Sequence, residues 1–326
     1  MKKLLGIVVL GLLLSGNAYA TDIYNGTLID AHSQKGRLIS VEQLSAVINQ
    51  TDVDYTLLSF RLNPKKIKEE FLKIKKLTGG KVRYLIPTKL GGFNKESSSV
   101  DKAIGTITNL QKVSVRDKFN HVGFGEILVQ HAPHNHKKLK YEGMNLDLNS
   151  ERIKRAVNIV LKDDKPVILH VELNDYETDS KKILEQLVSL GNANPNSHFL
   201  LMHMAQAKFS EAELIIKNTK NIHFVTSHAD NEMQRLAKKG VAQTGWINLF
   251  DEDDNLQKKW VNLMNENPKR FVLALDNVWD KDWLTRYQKR VSMWRKALSS
   301  LDKDAASSIA CKNANSYFKL GIKCLS

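Results

Sequence analysis

The sequence predicts an α/β chain folded as a single (β/α)8 barrel behind an N-terminal export signal. Eight short apolar runs lie along the 326 residues, near-continuous in apolar character, as in parallel strands covered on both faces. Amphipathic helical segments fall between them. No glycine-rich phosphate loop follows the first run, which favours the barrel over an open, doubly wound sheet.

The strands are expected at 27–31, 53–60, 82–87, 121–128, 166–171, 198–204, 222–226 and 271–275. Ser40-Val41-Glu42-Gln43 is a capping box, in which a serine hydroxyl and a glutamine amide satisfy each other's backbone N–H groups, and it opens the first helix. The run Lys65 to Lys76 places Ile67, Phe71 and Ile74 on one helical face and its lysines on the other. Ile153, Ala156, Val157, Val160 and Leu161 form a helical stripe behind Asn149/Ser150, and Ile183, Leu184, Leu187 and Val188 form another behind Asp179/Ser180. Further helices fit near 98–113, 209–219, 230–239, 254–266, 282–300 and 304–319. No internal repeat and no Pro/Ser-rich linker divides the chain.

The first twenty residues read as a signal peptide. Lys2 and Lys3 precede an apolar stretch, 4–14, and Ala18-Tyr19-Ala20 offers a small-residue cleavage site before Thr21. The stretch is shorter than a membrane span, and no later segment approaches 18 apolar residues. No cysteine follows it, so no lipid anchor is implied. The expected organisation is a Sec-type signal peptide at 1–20 and one domain at 21–326, periplasmic or secreted.

Apolar residues make up 42% and charged residues 26%, which excludes a disordered chain. The formal charge is +14, and removing two lysines with the signal leaves 14 − 2 = +12. That excess raises nucleic acid as a partner, but the basic residues are scattered and export argues against it. A small-molecule substrate is expected instead, with the oligomeric state left open. Cys311 and Cys324 are the two cysteines. In an oxidising compartment they are candidates for a disulfide worth about 3 kcal/mol, the alternative being two free thiols.

In a barrel, functional groups gather where the strands end. The first run leads into Asp30-Ala31-His32-Ser33-Gln34, the fourth into Gly125-Glu126, the fifth ends at His170, the sixth at His203 and the eighth at Asp276. Burying so many ionisable groups together is costly unless they pair or bind a metal. Imidazole and carboxylate donors suit Zn²⁺ first, with Mn²⁺ and Fe²⁺ as alternatives.

These residues carry a resemblance to the amidohydrolase superfamily, and in particular to its amidohydrolase-related branch. Asp30-Ala31-His32-Ser33-Gln34 resembles the first-strand H-x-H, and Gly125-Glu126-Ile127 the fourth-strand G-E-I. His170 and His203 stand where the fifth- and sixth-strand histidines belong. Arg270-Phe271 through Asp276 resembles the eighth-strand motif, and Asn313-Ala314 through Leu320 the closing helix. The resemblance spans most of the mature chain in the family's order. It implies a TIM-barrel, metal-dependent hydrolase acting on an amide, ester or lactone. Carried across, His32 and Asp276 hold one metal. Glu126 bridges to a second, and His170 and His203 bind that metal or substrate. Asp276 is the implied general base, and His203 is placed with it in the catalytic set. The same branch also contains metal-dependent decarboxylases.

The sequence departs from the pattern at Gln34, which replaces the second histidine of H-x-H. An amide oxygen is a weaker ligand, so a single-metal site or a ligand-binding barrel without catalysis remains open. Gln34, His131, His134 and His228 are candidate substrate contacts. His131, His134 and His136 lie in the loop after strand four, and the alternative is an exposed His-rich loop. Glu172 is a candidate to orient a ligand histidine, against a plain surface carboxylate. Ser227, His228 and Asp230 are too close along one strand to form a triad, and Asp230 is expected to cap the next helix. Arg61 and Lys89 are expected as solvated charges, the alternative being that either grips a substrate carboxylate. Trp279 and Trp283 are expected in core or rim packing, the alternative being the wall of a pocket.

Overall fold

The structure is a computed structural model describing residues 23–89, 99–136, 139–141, 143–174, 179–238 and 247–325. The export signal, 1–20, lies outside the described residues.

The chain opens with β1 (Ile29–Lys35), α1 (Val41–Gln50), β2 (Tyr55–Phe60), α2 (Pro64–Leu77), β3 (Val82–Ile86) and α3 (Val100–Arg116). The fourth barrel strand is interrupted into β4 (His121–Phe124) and β5 (Ile127–Leu128). An excursion follows as β6 (Gln130–His131), β7 (His134–His136), β8 (Leu139–Tyr141) and β9 (Met144–Asn145). The second half comprises α4 (Glu151–Lys162), β10 (Val167–His170), α5 (Ser180–Ala193), β11 (Phe199–Leu201), α6 (Phe209–Asn218), β12 (Ile222–Val225), α7 (Asn231–Lys238), α8 (Lys258–Glu266) and β13 (Phe271–Val272). It ends with α9 (Tyr287–Leu298), α10 (Lys303–Ser307) and α11 (Asn313–Tyr317).

All barrel pairings are parallel. One ladder runs β1-β2-β3-β4 and the other β5-β10-β11-β12-β13. The two halves join because β4 and β5 are one strand crossing a short break at Gly125-Glu126. Its first part pairs with β3 and its second with β10. The ring closes where Ala31 N–H donates to Leu273 O (3.0 Å), Asp276 N–H to His32 O (2.8 Å) and Gln34 N–H to Asn277 O (2.7 Å). The open, doubly wound alternative is thereby excluded.

The helix signals hold where they rest on local chemistry. Ser40 Oγ and Gln43 N–H, and Gln43 Oε1 and Ser40 N–H, are both 3.1 Å apart. Ile67, Phe71 and Ile74 are the buried face of α2. Asp179 caps α5 by accepting from Lys182 N–H. Boundaries shift where tertiary pairing intervenes. β1 runs on to Lys35, past its apolar run, because Gln34 and Lys35 pair with Ser59 and Phe60 of β2. The eighth strand pairs with β12 only through Phe271 and Val272. The expected 304–319 helix contains a π-type turn at Ser308–Lys312 between α10 and α11. The long loop expected after strand four holds two small antiparallel pairs, β6 with β9 and β7 with β8.

Strand alternation sorts the apolar residues into two cores. Leu57, Leu85, Ile168, Leu200, Val225 and Val272 pack in the cluster that fills the ring, whereas Leu58, Tyr84, Leu169, Phe199, Phe224 and Phe271 belong to the larger cluster shared with the helices. Cys311, Ala314, Tyr317 and Phe318 join the inner cluster, so the C-terminal segment plugs the end of the barrel where the strands begin. Tyr317 stacks on His198 and His223, at the starts of β11 and β12, with centroids 4.2 and 4.3 Å away. A Cβ on Gly123 would meet the Phe318 ring at 2.9 Å, which explains glycine there. Cys311 and Cys324 form a disulfide across this plug. With its cysteines 13 positions apart, Cys324→Ser is expected to lower unfolding free energy by about 3 kcal/mol, read as a lower urea midpoint, and reductant should bring the wild type to the same midpoint.

Candidate active site

The strand ends opposite the plug bring together the five residues singled out from the sequence, all buried. His32 lies on β1, Glu126 between β4 and β5, His170 at the end of β10, His203 just past β11, and Asp276 beyond β13. Ring closure itself sets one contact: the backbone bond from Asp276 to His32 puts Asp276 Oδ1 3.0 Å from His32 Nδ1. Gln34 Nε2 donates to Asp276 Oδ1 (3.0 Å) and Glu126 Oε1 (3.1 Å), joining the two carboxylates.

His170 sits between two carboxylates. Its Nδ1 is 2.6 Å from Glu126 Oε2 and its Nε2 2.7 Å from Glu172 Oε1. Ionised carboxylates only accept, so both ring nitrogens donate and the ring is an imidazolium. Burial opposes that charge, but Glu126 and Glu172 overcome it and raise the His170 pKa to about 9. Burial pushes the Glu126 carboxyl upward, and Lys89 with His170 overrides it, holding Glu126 well below the usual range. Asp276 is likewise held ionised, burial being overcome by His32. The His32 pKa rises because Asp276 and Glu126 outweigh burial.

His203 is treated differently. Its Nδ1 lies 3.0 Å from Ser227 Oγ and 3.3 Å from Ser227 O. Donation of the Nδ1 proton to that carbonyl turns the Nε2 lone pair toward Asp276 Oδ2, 3.6 Å away. Burial, then His228 and His170, hold the His203 pKa well below normal, so the ring is neutral. His228 stacks on His203 at 4.6 Å, its Nε2 3.1 Å from Asp276 O and its Nδ1 3.9 Å from Asp276 Oδ2. Burial lowers its pKa too.

The site is strained. His203, Met204, Ala205 and Gln206 run consecutively at φ of 49–56°, and His228 and Asp276 stand at φ 57° and 44°. Side chains with a Cβ disfavour this left-handed region by about 1–2 kcal/mol each. Three site side chains thus leave their strands through a disfavoured backbone, as at sites where geometry is imposed by the surrounding fold.

The remaining candidates divide. His131 stacks on His170 at 4.9 Å, with its Nδ1 3.9 Å from Glu172 Oε1, so it belongs to the site and not to an exposed loop. Burial drops its pKa to about 4. His134 and His136 lie on β7, but their side chains lie outside the described residues. Glu172 is buried and orients His170, and it also accepts from Ala132 N–H at 2.6 Å. Asp230 caps α7 through Met233 N–H (3.0 Å). Trp283 is core, its Nε1 donating to Gln34 O (3.0 Å). Lys89, a candidate to grip substrate, is instead paired with Glu126 Oε1.

Sequence reading missed Lys89 as the partner of Glu126, Ser227 as the partner of His203, and Asp30. Buried Asp30 accepts from Ser33 Oγ (2.6 Å), Leu275 N–H (2.9 Å), Tyr287 OH (3.3 Å) and His32 N–H (3.4 Å). It therefore stitches the backbone carrying His32 to that carrying Asp276. Burial raises its pKa to about 6, only partly offset by those donors. An acidic residue inside an apolar run was the signal available for it.

A pocket of about 400 Å³ opens onto His32, Gln34 and Glu126, with Arg37, Leu38, Arg61, Lys89 and Trp279 around it. Among the described residues, four groups of His, Asp and Glu could hold a cation, their donor atoms within 4.8 Å of one another. They are His32/Glu126/Asp276, Glu126/His170/His203, His203/His228/Asp276 and His131/His170/Glu172.

No family model and no curated protein matches the chain. Solved structures do. A point variant of organophosphorus hydrolase from Deinococcus radiodurans aligns at TM-score 0.52 and 12% identity, over 91% of this chain and 94% of that one. A triple variant of the same enzyme aligns at TM-score 0.50 and 12% identity over the same shares. An amidohydrolase from Burkholderia multivorans aligns at TM-score 0.48 and 10% identity, over 90% of this chain and 99% of that one. The likeness is one of fold.

The histidines make stability depend on pH. His131 and His223, near 4 and 3 in the folded state, are both lowered by burial from an ordinary 6.5. A depressed pKa means the unfolded chain takes up the proton first, so stability is full above pH 6.5 and falls as pH drops. His170, raised to about 9, works in the opposite sense as the unfolded chain takes up its proton near 6.5, and offsets about 1 kcal/mol of this. Between pH 7 and 5 the unfolding free energy should fall by about 2–4 kcal/mol, measured by urea titration, and His223→Gln should flatten part of the slope.

Proposed function

We propose that the chain is an exported, metal-dependent hydrolase of the amidohydrolase type that cleaves an amide, ester or lactone of a small molecule. The convergence of His32, Glu126, His170, His203 and Asp276 at one end of a closed barrel carries this reading. The motif order resembling the superfamily supports it.

The donor set fits a divalent transition metal, with Zn²⁺ the first choice for imidazole and carboxylate. Buried His32 Nε2 has no hydrogen-bond partner among the described residues, while its Nδ1 is fixed by Asp276. A buried imidazole nitrogen oriented by a carboxylate and lacking any other partner suits a cation. His32, Glu126 and Asp276 would hold it, His203 would be a ligand of a second ion or a substrate contact, and His170 would join that ion only on giving up the Nδ1 proton it shares with Glu126. Such an ion supplies Lewis acidity and lowers the pKa of a coordinated water. Asp276, kept ionised by His32, is the general base that takes a proton from the attacking water and delivers it to the leaving group. Neutral His203 and His228 flank Asp276, and the Nε2 lone pair of His203 suits a cation and not a carbonyl oxygen. Glu172 holds His170 in place, and Gln34 fixes the two carboxylates relative to each other.

A second reading, a ligand-binding barrel without catalysis, is favoured by one observation. Gln34 and Lys89 both donate to Glu126 Oε1, so the carboxylate is already compensated by the protein.

For the targeting of the chain, we infer cleavage after Ala20 and residence in a periplasm or outside the cell. The Cys311–Cys324 disulfide supports an oxidising compartment.

Elemental analysis of untagged protein prepared without chelator should find one to two equivalents of a transition metal, with the ion held by His32, Glu126 and Asp276 lost in His32→Ala and any second ion lost in His203→Ala. Hydrolysis of esters, lactones or amides should fall about 10²–10⁴-fold in Asp276→Asn. Metal-free protein that stays empty in Zn²⁺ and Mn²⁺ and turns over no substrate establishes the binding barrel instead.

A further inference from the structure

The mouth of the site carries features that the chemistry above does not use. Arg61, at the end of β2, is half-buried, and its guanidinium lies over the Trp279 ring at 5.1 Å. Trp279 and Leu38 are exposed large apolar side chains, and both line the same pocket. Arg37 lines it as well. Neither Arg37 nor Arg61 is within ion-pair distance of a carboxylate among the described residues.

These groups are held in place. Lys35, itself buried, donates to Gly36 O (3.2 Å) and Ile39 O (2.9 Å) and pairs with Glu70 (2.8 Å), so both ends of the turn bearing Arg37 and Leu38 are pinned. Arg61 N–H donates to Lys35 O (2.9 Å). The Trp279 backbone is fixed by Asp282, whose Oδ2 accepts from Trp279 N–H (3.1 Å) and whose N–H donates to Trp279 O (2.9 Å). Two forked donors and an indole face are thus presented to a cavity whose floor is Glu126, Gln34 and His32.

The charge count is specific. Lys89 is cancelled by Glu126, leaving the guanidinium groups of Arg37 and Arg61 against the one remaining carboxylate of the lining, Asp280. Two against one leaves a single positive charge. A planar guanidinium matches a carboxylate through paired N–H donors, and its stacking on an indole sets the fork's orientation.

We propose that the pocket mouth is a subsite for a monocarboxylate with a flat apolar body, the carboxylate on Arg61 and Arg37 and the body against Trp279 and Leu38. Resting on the proposed hydrolase function, this assigns the substrate class as an apolar, ring-bearing acid whose scissile carbonyl lies inward of its carboxylate.

The test separates binding from turnover. 2-Naphthoate has no hydrolysable bond, so titrating it calorimetrically into the mature protein reads the subsite alone, with neutral 2-naphthamide as the comparison. Naphthoate is expected to bind at least 10-fold more tightly than naphthamide. Arg61→Ala should remove most of that preference, Arg61→Lys should restore only part of it, and Trp279→Ala should weaken both ligands alike. Thermal melting of each variant checks that it folds. No naphthoate binding by the wild type, equal affinity for the two ligands, or a preference that survives Arg61→Ala would overturn the subsite. Absence of turnover with every ester, lactone and amide, alongside intact naphthoate selectivity, would overturn the hydrolase reading and leave the subsite standing.

Discussion

Ring closure between β1 and the chain beyond β13 is the constraint on which the rest of the molecule depends. Three backbone hydrogen bonds, from Ala31, Asp276 and Gln34, convert two parallel sheets into one ring. A closed ring has no exposed edge and divides apolar side chains between an inner filling and an outer layer under the helices. The same bonds put Asp276 against His32, residues 244 positions apart in the chain. Asp30 reinforces that seam by accepting from both sides of it. Barrel closure and site assembly are therefore one event.

Assembling so many ionisable groups away from water is possible only because each charge has a counterpart. Glu126 is met by Lys89, Gln34 and His170, Glu172 by His170 and Ala132 N–H, and Asp276 by His32 and Gln34. Pairing keeps the carboxylates ionised where burial alone would protonate them. The rings of His203 and His228 lie beside this network and stay neutral because burial and the neighbouring cationic groups outweigh the carboxylates near them. Two kinds of imidazole, one cationic and one neutral, thus coexist within stacking distance, His170 and His203 being 4.8 Å apart.

The two ends of the barrel divide stability from chemistry. At the plugged end, the C-terminal segment fills the ring, a disulfide ties its tail, and His198 and His223 stack on Tyr317. At the other end, the backbone passes through left-handed conformations at His203, His228 and Asp276, and the side chains turn into the buried ionisable cluster instead of the apolar core. The favourable packing of one end offsets strain at the other.

The sequence by itself determined the alternation of barrel strands and helices, because apolar runs, capping chemistry and helical stripes are local. Ser40-Gln43, the buried face of α2 and the Asp230 cap all needed only neighbouring residues. It also marked His32, Glu126, His170, His203 and Asp276, because an ionisable residue closing an apolar run is visible without coordinates. Only the tertiary structure decided which of these groups touch. That Lys89 belongs to Glu126, Ser227 to His203 and Glu172 to His170, and that Asp30 joins both sides of the seam, follows from strand register and ring closure. Tertiary pairing also carried β1 beyond its apolar run to Lys35. Contacts between strand ends far apart in sequence leave no periodicity to read, since they arise from the geometry of a closed ring and not from any property of the residues alone.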